Sequence, residues 1–194
     1  MGPMRLLGTI SPDRPLLVVA VREEAAHLDD RLPVLLTGIG KVNATAALAT
    51  VLAQGEQPSE VINLGTAGAL RPGWEGMHHV AQVIQHDLNT AALQQLTGRS
   101  YGAPLVVGRG DGPVLATGDL FVEEPAAKQR LAEHADLVDM EGYAVATVAH
   151  RAGVPVRLVK YVSDEAGDGA AHSWRESVDG CARHLADWVH TQGW

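Results

Sequence analysis

Residues 33–68 read PVLLTGIGKVNATAALATVLAQGEQPSEVINLGTAG, and this stretch decides the fold. A short apolar run, 33–36, breaks at Thr37-Gly38-Ile39-Gly40. An Ala-rich stretch of helical period follows over 41–52, and a second apolar run opens at Val61. Short runs of Val, Leu and Ile suit strands buried on both faces, and the Ala-rich segment, with Val42, Leu48 and Val51 available for burial, suits the helix that crosses between parallel neighbours.

Outward from this unit the pattern repeats. Strands are predicted at 16–21, 33–36, 61–64, 79–84, 114–116, 137–139 and 154–162. Helices are predicted at 22–28, 41–52 and 140–151, with a terminal one within 173–190. Glycines at 98, 102, 108, 110 and 112 argue for loop across 89–112. The alternation implies an α/β fold, a single domain over 1–194 with a central, mostly parallel, mixed sheet flanked by helices. Residues 1–14 are expected to be peripheral or poorly structured. A chain of 194 residues buries about 70% of the surface that its unfolded form exposes, enough for one core.

Composition excludes several roles. Asp and Glu number 23 against 15 Lys and Arg, a net charge of −8, and no basic run offers the stripe that nucleic acid needs. The single cysteine, Cys181, forms no internal disulfide and fits a reducing compartment. No apolar run approaches the roughly 18 residues of a membrane span, and 1–7 lack a signal-peptide core, so a cytoplasmic location is expected. His78 and His79 are adjacent and on a strand point to opposite faces, and no His-Glu-x-x-His occurs, so no metal is expected. Gly38-Ile39-Gly40 opens like a dinucleotide fingerprint, but Asn43 stands where the third glycine belongs. A tight strand-to-helix turn is the simpler reading, and no cofactor is expected.

Five strand endings carry glycine, hydroxyl or acidic residues: Arg22-Glu23-Glu24, Thr37-Gly38-Ile39-Gly40, Gly65-Thr66-Ala67-Gly68, Thr117-Gly118-Asp119 and Ser163-Asp164. Ligands of open parallel sheets bind at the carboxyl ends of strands, so these endings mark one crevice. Taken singly, each residue has an ordinary reading. Glu141 shares a helical stripe with Val145, Val148 and Ala152 and either meets a helix amino end or a ligand hydroxyl, although Asp139 is already placed as the N-cap. Asp164 either caps the following segment or faces the crevice. Glu23 and Glu24 suit a helix start for dipole reasons alone. Phe121, the only phenylalanine, is either core or a ring at the crevice edge able to stack on a base.

Together the segments resemble the purine nucleosidases and phosphorylases, most closely the methylthioadenosine/S-adenosylhomocysteine nucleosidases. The resemblance runs over about 16–190 and rests on Gly38-Ile39-Gly40-Lys41-Val42, Asn63-Leu64-Gly65-Thr66-Ala67-Gly68, Thr117-Gly118-Asp119-Leu120-Phe121, Val138-Asp139-Met140-Glu141 and Val162-Ser163-Asp164, in that order. It implies a nucleoside phosphorylase-like fold and a purine nucleoside as the small-molecule partner. The implied reaction is hydrolysis of the N-glycosidic bond of an adenine nucleoside of the 5′-methylthioadenosine, S-adenosylhomocysteine or 5′-deoxyadenosine type.

The resemblance also assigns roles. Asp164 would protonate the base at N7, a task worth about a hundredfold to ten-thousandfold because the adenine anion leaves poorly. Glu141 would accept hydrogen bonds from the ribose hydroxyls, with Met140 packed beneath the sugar and Ile39 beside it. Phe121 would stack on the base and the main chain of Val122 read its edge. Glu24, with Glu23 as the fallback, would hold the nucleophilic water, since a carboxylate activates water but repels phosphate. Thr66 replaces a serine and keeps its hydroxyl, Ser163 belongs to the substrate-binding set, and Lys160 replaces an arginine near the water, without the bidentate fork. The link between Leu28 and Pro33 lacks the family's hairpin, and 89–112 is shorter than the segment that covers the 5′ group. The resemblance implies a homodimer. Three alternatives are a phosphorylase, a futalosine-type hydrolase and, because of the shortened segments and Lys160, a nucleoside-binding protein without turnover.

Overall fold

The computed structural model describes residues 4–108 and 110–194. Ten strands and five helices alternate as the hydrophobic pattern requires. They are β1 (Arg5–Leu7), β2 (Leu16–Val19), β3 (Val34–Leu36), α1 (Lys41–Ala53), β4 (Val61–Ala69), β5 (Met77–His79), β6 (Gln82–Gln85), α2 (Thr90–Thr97), β7 (Leu105–Val106), β8 (Val114–Thr117), α3 (Pro125–Ala132), β9 (Leu137–Asp139), α4 (Gly142–Ala152), β10 (Val156–Asp164) and α5 (Ala170–Thr191). The N-terminal segment contributes the exposed edge strand β1, antiparallel to β3.

The sheet is organised on β4. One edge of β4 pairs in parallel with β10 along most of its length. Its other edge is shared: β2 pairs in parallel with 61–63, and β9 pairs antiparallel with Gly68 and Ala69. Beyond β2 lie β3 and β1, and beyond β9 lie β8, β6 and β7. Since β2 and β9 point toward each other along this edge, their carboxyl ends meet beside 64–67, where β4 has no strand partner on that side.

Helices cover both faces. Leu16 and Val18 of β2 pack with Ala44, Leu48 and Val51 of α1 and Val145 and Ala149 of α4, whereas Leu17 and Val19 pack with Leu185 and Val189 of α5. The alternation follows from the two-residue period of a strand. Helix α5 presents Val178, Cys181, Ala182, Leu185, Ala186 and Val189 to the sheet, the three- and four-residue spacing of an amphipathic helix. Each such leucine or valine stabilises the fold by about 1.5–3 kcal/mol on burial. No described helix is long and apolar enough to cross a membrane.

Several expected elements differ. Residues 22–28 form successive turns, with Ala25 N–H donating to Arg22 O and Leu28 N–H to Ala25 O, so the expected helix is absent. The run 79–84 divides at Val80 into β5, which pairs with β10, and β6, which pairs with β8. The region expected to be loop, 89–112, holds α2 and β7. Asn89 caps α2 by accepting from Ala92 N–H at 3.0 Å, and Gly98 ends it in the left-handed conformation, so that glycine marks a helix stop. Arg109 of that stretch lies outside the described residues.

Candidate active site

The gap on the edge of β4 leaves the N–H of Thr66 without a strand acceptor, and Glu24 takes its place. Glu24 Oε1 accepts from Thr66 N–H at 2.7 Å and from Thr66 Oγ1 at 2.8 Å. The carboxylate is buried, and its Oε2 has no partner. Gly65 makes this approach possible, because a Cβ there would stand 3.1 Å from Glu24 Oε1. Glu23 is exposed and does not line the cleft. A cleft partly open to solvent lies over Glu24 and is lined from Ala20 and Val21 after β2, Thr66, Ala67 and Gly68 of β4, and the ends of β9 and β10.

The end of β9 supplies two carboxylates with separate tasks. Asp139 Oδ2 accepts from Gly142 N–H at 2.9 Å and caps α4, and its Oδ1 accepts from Thr117 Oγ1 at 2.6 Å. Glu141 is thereby freed from capping, and its Oε1 accepts from Gly40 N–H at 2.8 Å, across the cleft floor. Burial, then the neighbouring Asp139 charge, raises the Glu141 pKa from its usual 4.5 to about 8, against the opposing pull of Lys160 and of the Gly40 hydrogen bond. Lys160 Nζ lies 2.8 Å from Asp139 Oδ2. Burial of its ammonium works against the charge, but the Asp139 and Glu141 carboxylates outweigh it and raise the pKa. Lys160 does not line the cleft, which corrects its place in the substrate-binding set. It lies under the floor as the counter-ion of Asp139, since a cation this buried requires a paired anion.

Regular strand alternation would put Lys160, Val162 and Asp164 on one face, but here it is interrupted. Val162 pairs with Ala67 and Asp164 with Gly68, so Ser163 is the extra residue of a bulge. The bulge turns both Ser163 and Asp164 toward the cleft. Asp164 Oδ2 accepts from Ser163 Oγ at 2.8 Å and Oδ1 from Ala166 N–H at 2.8 Å. Ala166 has φ 42°, alone among the described non-glycine residues in positive φ, a strained position of the kind that persists at sites. Phe121 and Ile39, both about half exposed, stand at the rim, and the partly buried Met140 also lines the cleft. Val122 is in an adjoining recess with Phe121, Met140 and Asp164 rather than in the main cleft, and its carbonyl already accepts from Gly167 N–H.

The glycine turn before α1 is tied to the opposite rim. Lys41 N–H donates to Asp119 Oδ1 at 2.8 Å, Asp119 N–H donates to Asp87 Oδ2 at 2.9 Å, and the Lys41 ammonium meets Asp87. Among the described residues, no group of three His, Cys, Asp or Glu is placed to hold a metal ion.

A family model of the phosphorylase superfamily matches residues 27–103 and 78–189. The chain belongs to that superfamily. Among its relatives, the 5′-methylthioadenosine/S-adenosylhomocysteine nucleosidase of Bacillus cytotoxicus is 31% identical over 189 residues, which cover 80% of this chain and 77% of the relative. The enzyme of the same name from Bacillus thuringiensis is 30% identical over the same shares. Two solved Helicobacter pylori structures share the fold. A 5′-methylthioadenosine/S-adenosylhomocysteine nucleosidase with butyl-thio-DADMe-Immucillin-A has TM-score 0.76 at 22% identity, covering 93% of this chain and 97% of that one. A futalosine hydrolase has TM-score 0.79 at 22% identity, covering 92% and 96%.

In this member of the superfamily the cleft also takes residues that the sequence reading missed. Ala171, Trp174 and Arg175, from the first turns of α5, line it, and Trp174 Nε1 donates to Thr66 Oγ1 at 3.0 Å. Among the described residues that line it, Arg175 is the only cation. The available signal was a tryptophan and an arginine side by side on a helix whose apolar stripe falls elsewhere.

Proposed function

We propose that the protein hydrolyses the N-glycosidic bond of an adenine nucleoside carrying a non-phosphorylated 5′ substituent, releasing adenine and the ribose derivative. The observation that carries this reading is Glu24: a buried carboxylate beneath the cleft with Oε1 held by two donors and Oε2 without a partner. A carboxylate so placed holds and deprotonates water and repels phosphate. The curated relatives named as nucleosidases support the same chemistry.

In this reading water bound at Glu24 Oε2 attacks the anomeric carbon. The C–O bond forms as the bond to N9 breaks, Glu24 takes the water proton, and Asp164 delivers a proton to N7 so that the base leaves neutral. Phe121 stacks on the base, Met140 and Ile39 pack on the sugar, and Ser163 orients Asp164. Glu141, its pKa raised by burial, holds a proton near neutral pH. Ribose hydroxyls that donate to it favour its ionised form, as does the positive charge that grows on the ribosyl ring. The 5′ substituent runs toward Trp174 and Arg175.

A homodimer and a cytoplasmic location complete the reading. Support for the first comes from the rim, where Ile39, Val42, Leu120 and Phe121 are exposed together beside the cleft, an apolar surface suited to a second subunit. The buried free thiol of Cys181 suits a reducing compartment.

The test is adenine release from a panel of 5′-substituted nucleosides and futalosine, with wild type, Asp164→Asn and Glu24→Gln. Wild type is expected to turn over without phosphate and each variant to lose at least about a hundredfold. Near-normal activity in Asp164→Asn removes the acid assignment, and strict dependence on phosphate overturns the hydrolase reading.

A further inference from the structure

A threonine hydroxyl has one proton and two lone pairs, whereas an indole N–H can only donate. With Trp174 Nε1 at 3.0 Å from Thr66 Oγ1, the hydroxyl must accept there, and its own proton is directed to Glu24 Oε1 at 2.8 Å. The Thr66 N–H adds a second donor to the same oxygen at 2.7 Å. Oε1 is therefore occupied, and Oε2, buried and unpartnered on a side chain that lines the cleft, is the oxygen left for a further donor. The start of α5 is itself anchored, because Ser177 Oγ donates to the carbonyl of Ser163 at 3.0 Å, next to Asp164.

We propose that Trp174 is a positioning residue for the reaction: through Thr66 it fixes the Glu24 carboxylate and reserves Oε2 for the attacking water. The inference rests on the reading of Glu24 as the water base. Each hydrogen bond in the chain polarises the next, which strengthens the hold on Oε1 beyond a single contact. The ring of Trp174 also lines the cleft, so packing against substrate is the competing role. Trp174→Phe separates the two by keeping an aromatic ring and removing the N–H.

The experiment is steady-state kinetics of wild type, Trp174→Phe, Thr66→Val, Thr66→Ser and the double variant Trp174→Phe/Thr66→Val on whichever nucleoside of the panel turns over. Loss of one neutral hydrogen bond predicts a fall in kcat of roughly three- to tenfold in Trp174→Phe, with KM within about twofold. Thr66→Ser should retain most of kcat. In the Thr66→Val background, Trp174→Phe should cost nothing further, because the link it breaks is already gone. Unchanged kcat in Trp174→Phe, a loss confined to KM, or equal losses in both backgrounds overturns the inference while leaving the hydrolase reading standing. A wild type that releases no base overturns both. Should Trp174→Phe fail to fold, the indole N–H resonance of Trp174 in wild-type fold decides: it should move on Thr66→Val, and an unmoved resonance overturns the inference.

Discussion

Replacing Glu141 by Gln tests the electrostatics of the cleft floor. The carboxyl is buried beside Asp139, and its pKa stands near 8 rather than 4.5. As pH rises past 4.5 the unfolded chain gives up this proton while the folded chain keeps it until about pH 8. The native state thus binds more protons, and the contribution of Glu141 to stability falls across that window. Each pH unit is worth about 1.4 kcal/mol, which sets a ceiling of about 5 kcal/mol at pH 8. Relaxation and water in an open cleft reduce this to about 2–3 kcal/mol. An amide oxygen can still accept from Gly40 N–H, but the amide cannot ionise. Urea unfolding of both proteins at pH 5, 6, 7 and 8 isolates the residue, since Asp139, Lys160 and Glu24 remain in both. The stability of Glu141→Gln relative to wild type should rise steadily by about 2–3 kcal/mol from pH 5 to pH 8. A difference that stays flat over that range refutes the reasoning.

Three further outcomes follow from neighbouring contacts. Lys160→Met removes the cation paired with the buried Asp139 carboxylate and should cost about 3–5 kcal/mol in chemical denaturation; a loss below 1 kcal/mol would show that Lys160 is not the counter-ion of Asp139. Gly68→Ala places a Cβ 3.0 Å from Asp164 Oδ1 and 3.1 Å from the Ala166 side chain. It should lower kcat by about tenfold or more by displacing the acid, with about 1–3 kcal/mol lost in stability. Arg175→Ala should raise KM about tenfold for nucleosides whose 5′ group carries a carboxylate and leave methylthioadenosine almost unchanged, as measured by KM ratios for the two substrates.

Much of this was legible in the sequence, and the exceptions have physical reasons. Periodicity located β2, β3, α1, β8, β9 and α4 because each buries a regular face. It ended β4 at Leu64, where glycines begin, yet the strand continues to Ala69. Gly65 and Gly68 are there because carboxylates approach the backbone, Glu24 at the first and Asp164 at the second. Residues 22–28 look helical by composition, but the segment must turn Glu24 inward to Thr66, and a short isolated helix has little to hold it against that contact. The glutamate and aspartate positions were readable as strand endings, whereas the partition between them was not. That Asp139 takes the cap and the lysine, leaving Glu141 to the cleft, depends on Lys160, Thr117 and Gly40, which are distant in sequence. Trp174 and Arg175 were missed because helical spacing reports what a helix buries against its sheet and says little about side chains that its first turns extend over a neighbouring cleft.

In the proposed reaction water, held by Glu24, is the nucleophile. This is tested most directly by letting the enzyme turn over its best nucleoside in heavy-oxygen water with excess phosphate and weighing the sugar product. The expected product is a free ribose derivative carrying one solvent oxygen at the anomeric position, with no ribosyl phosphate, and the reaction is lost in Glu24→Gln. A ribosyl 1-phosphate as the product would contradict it.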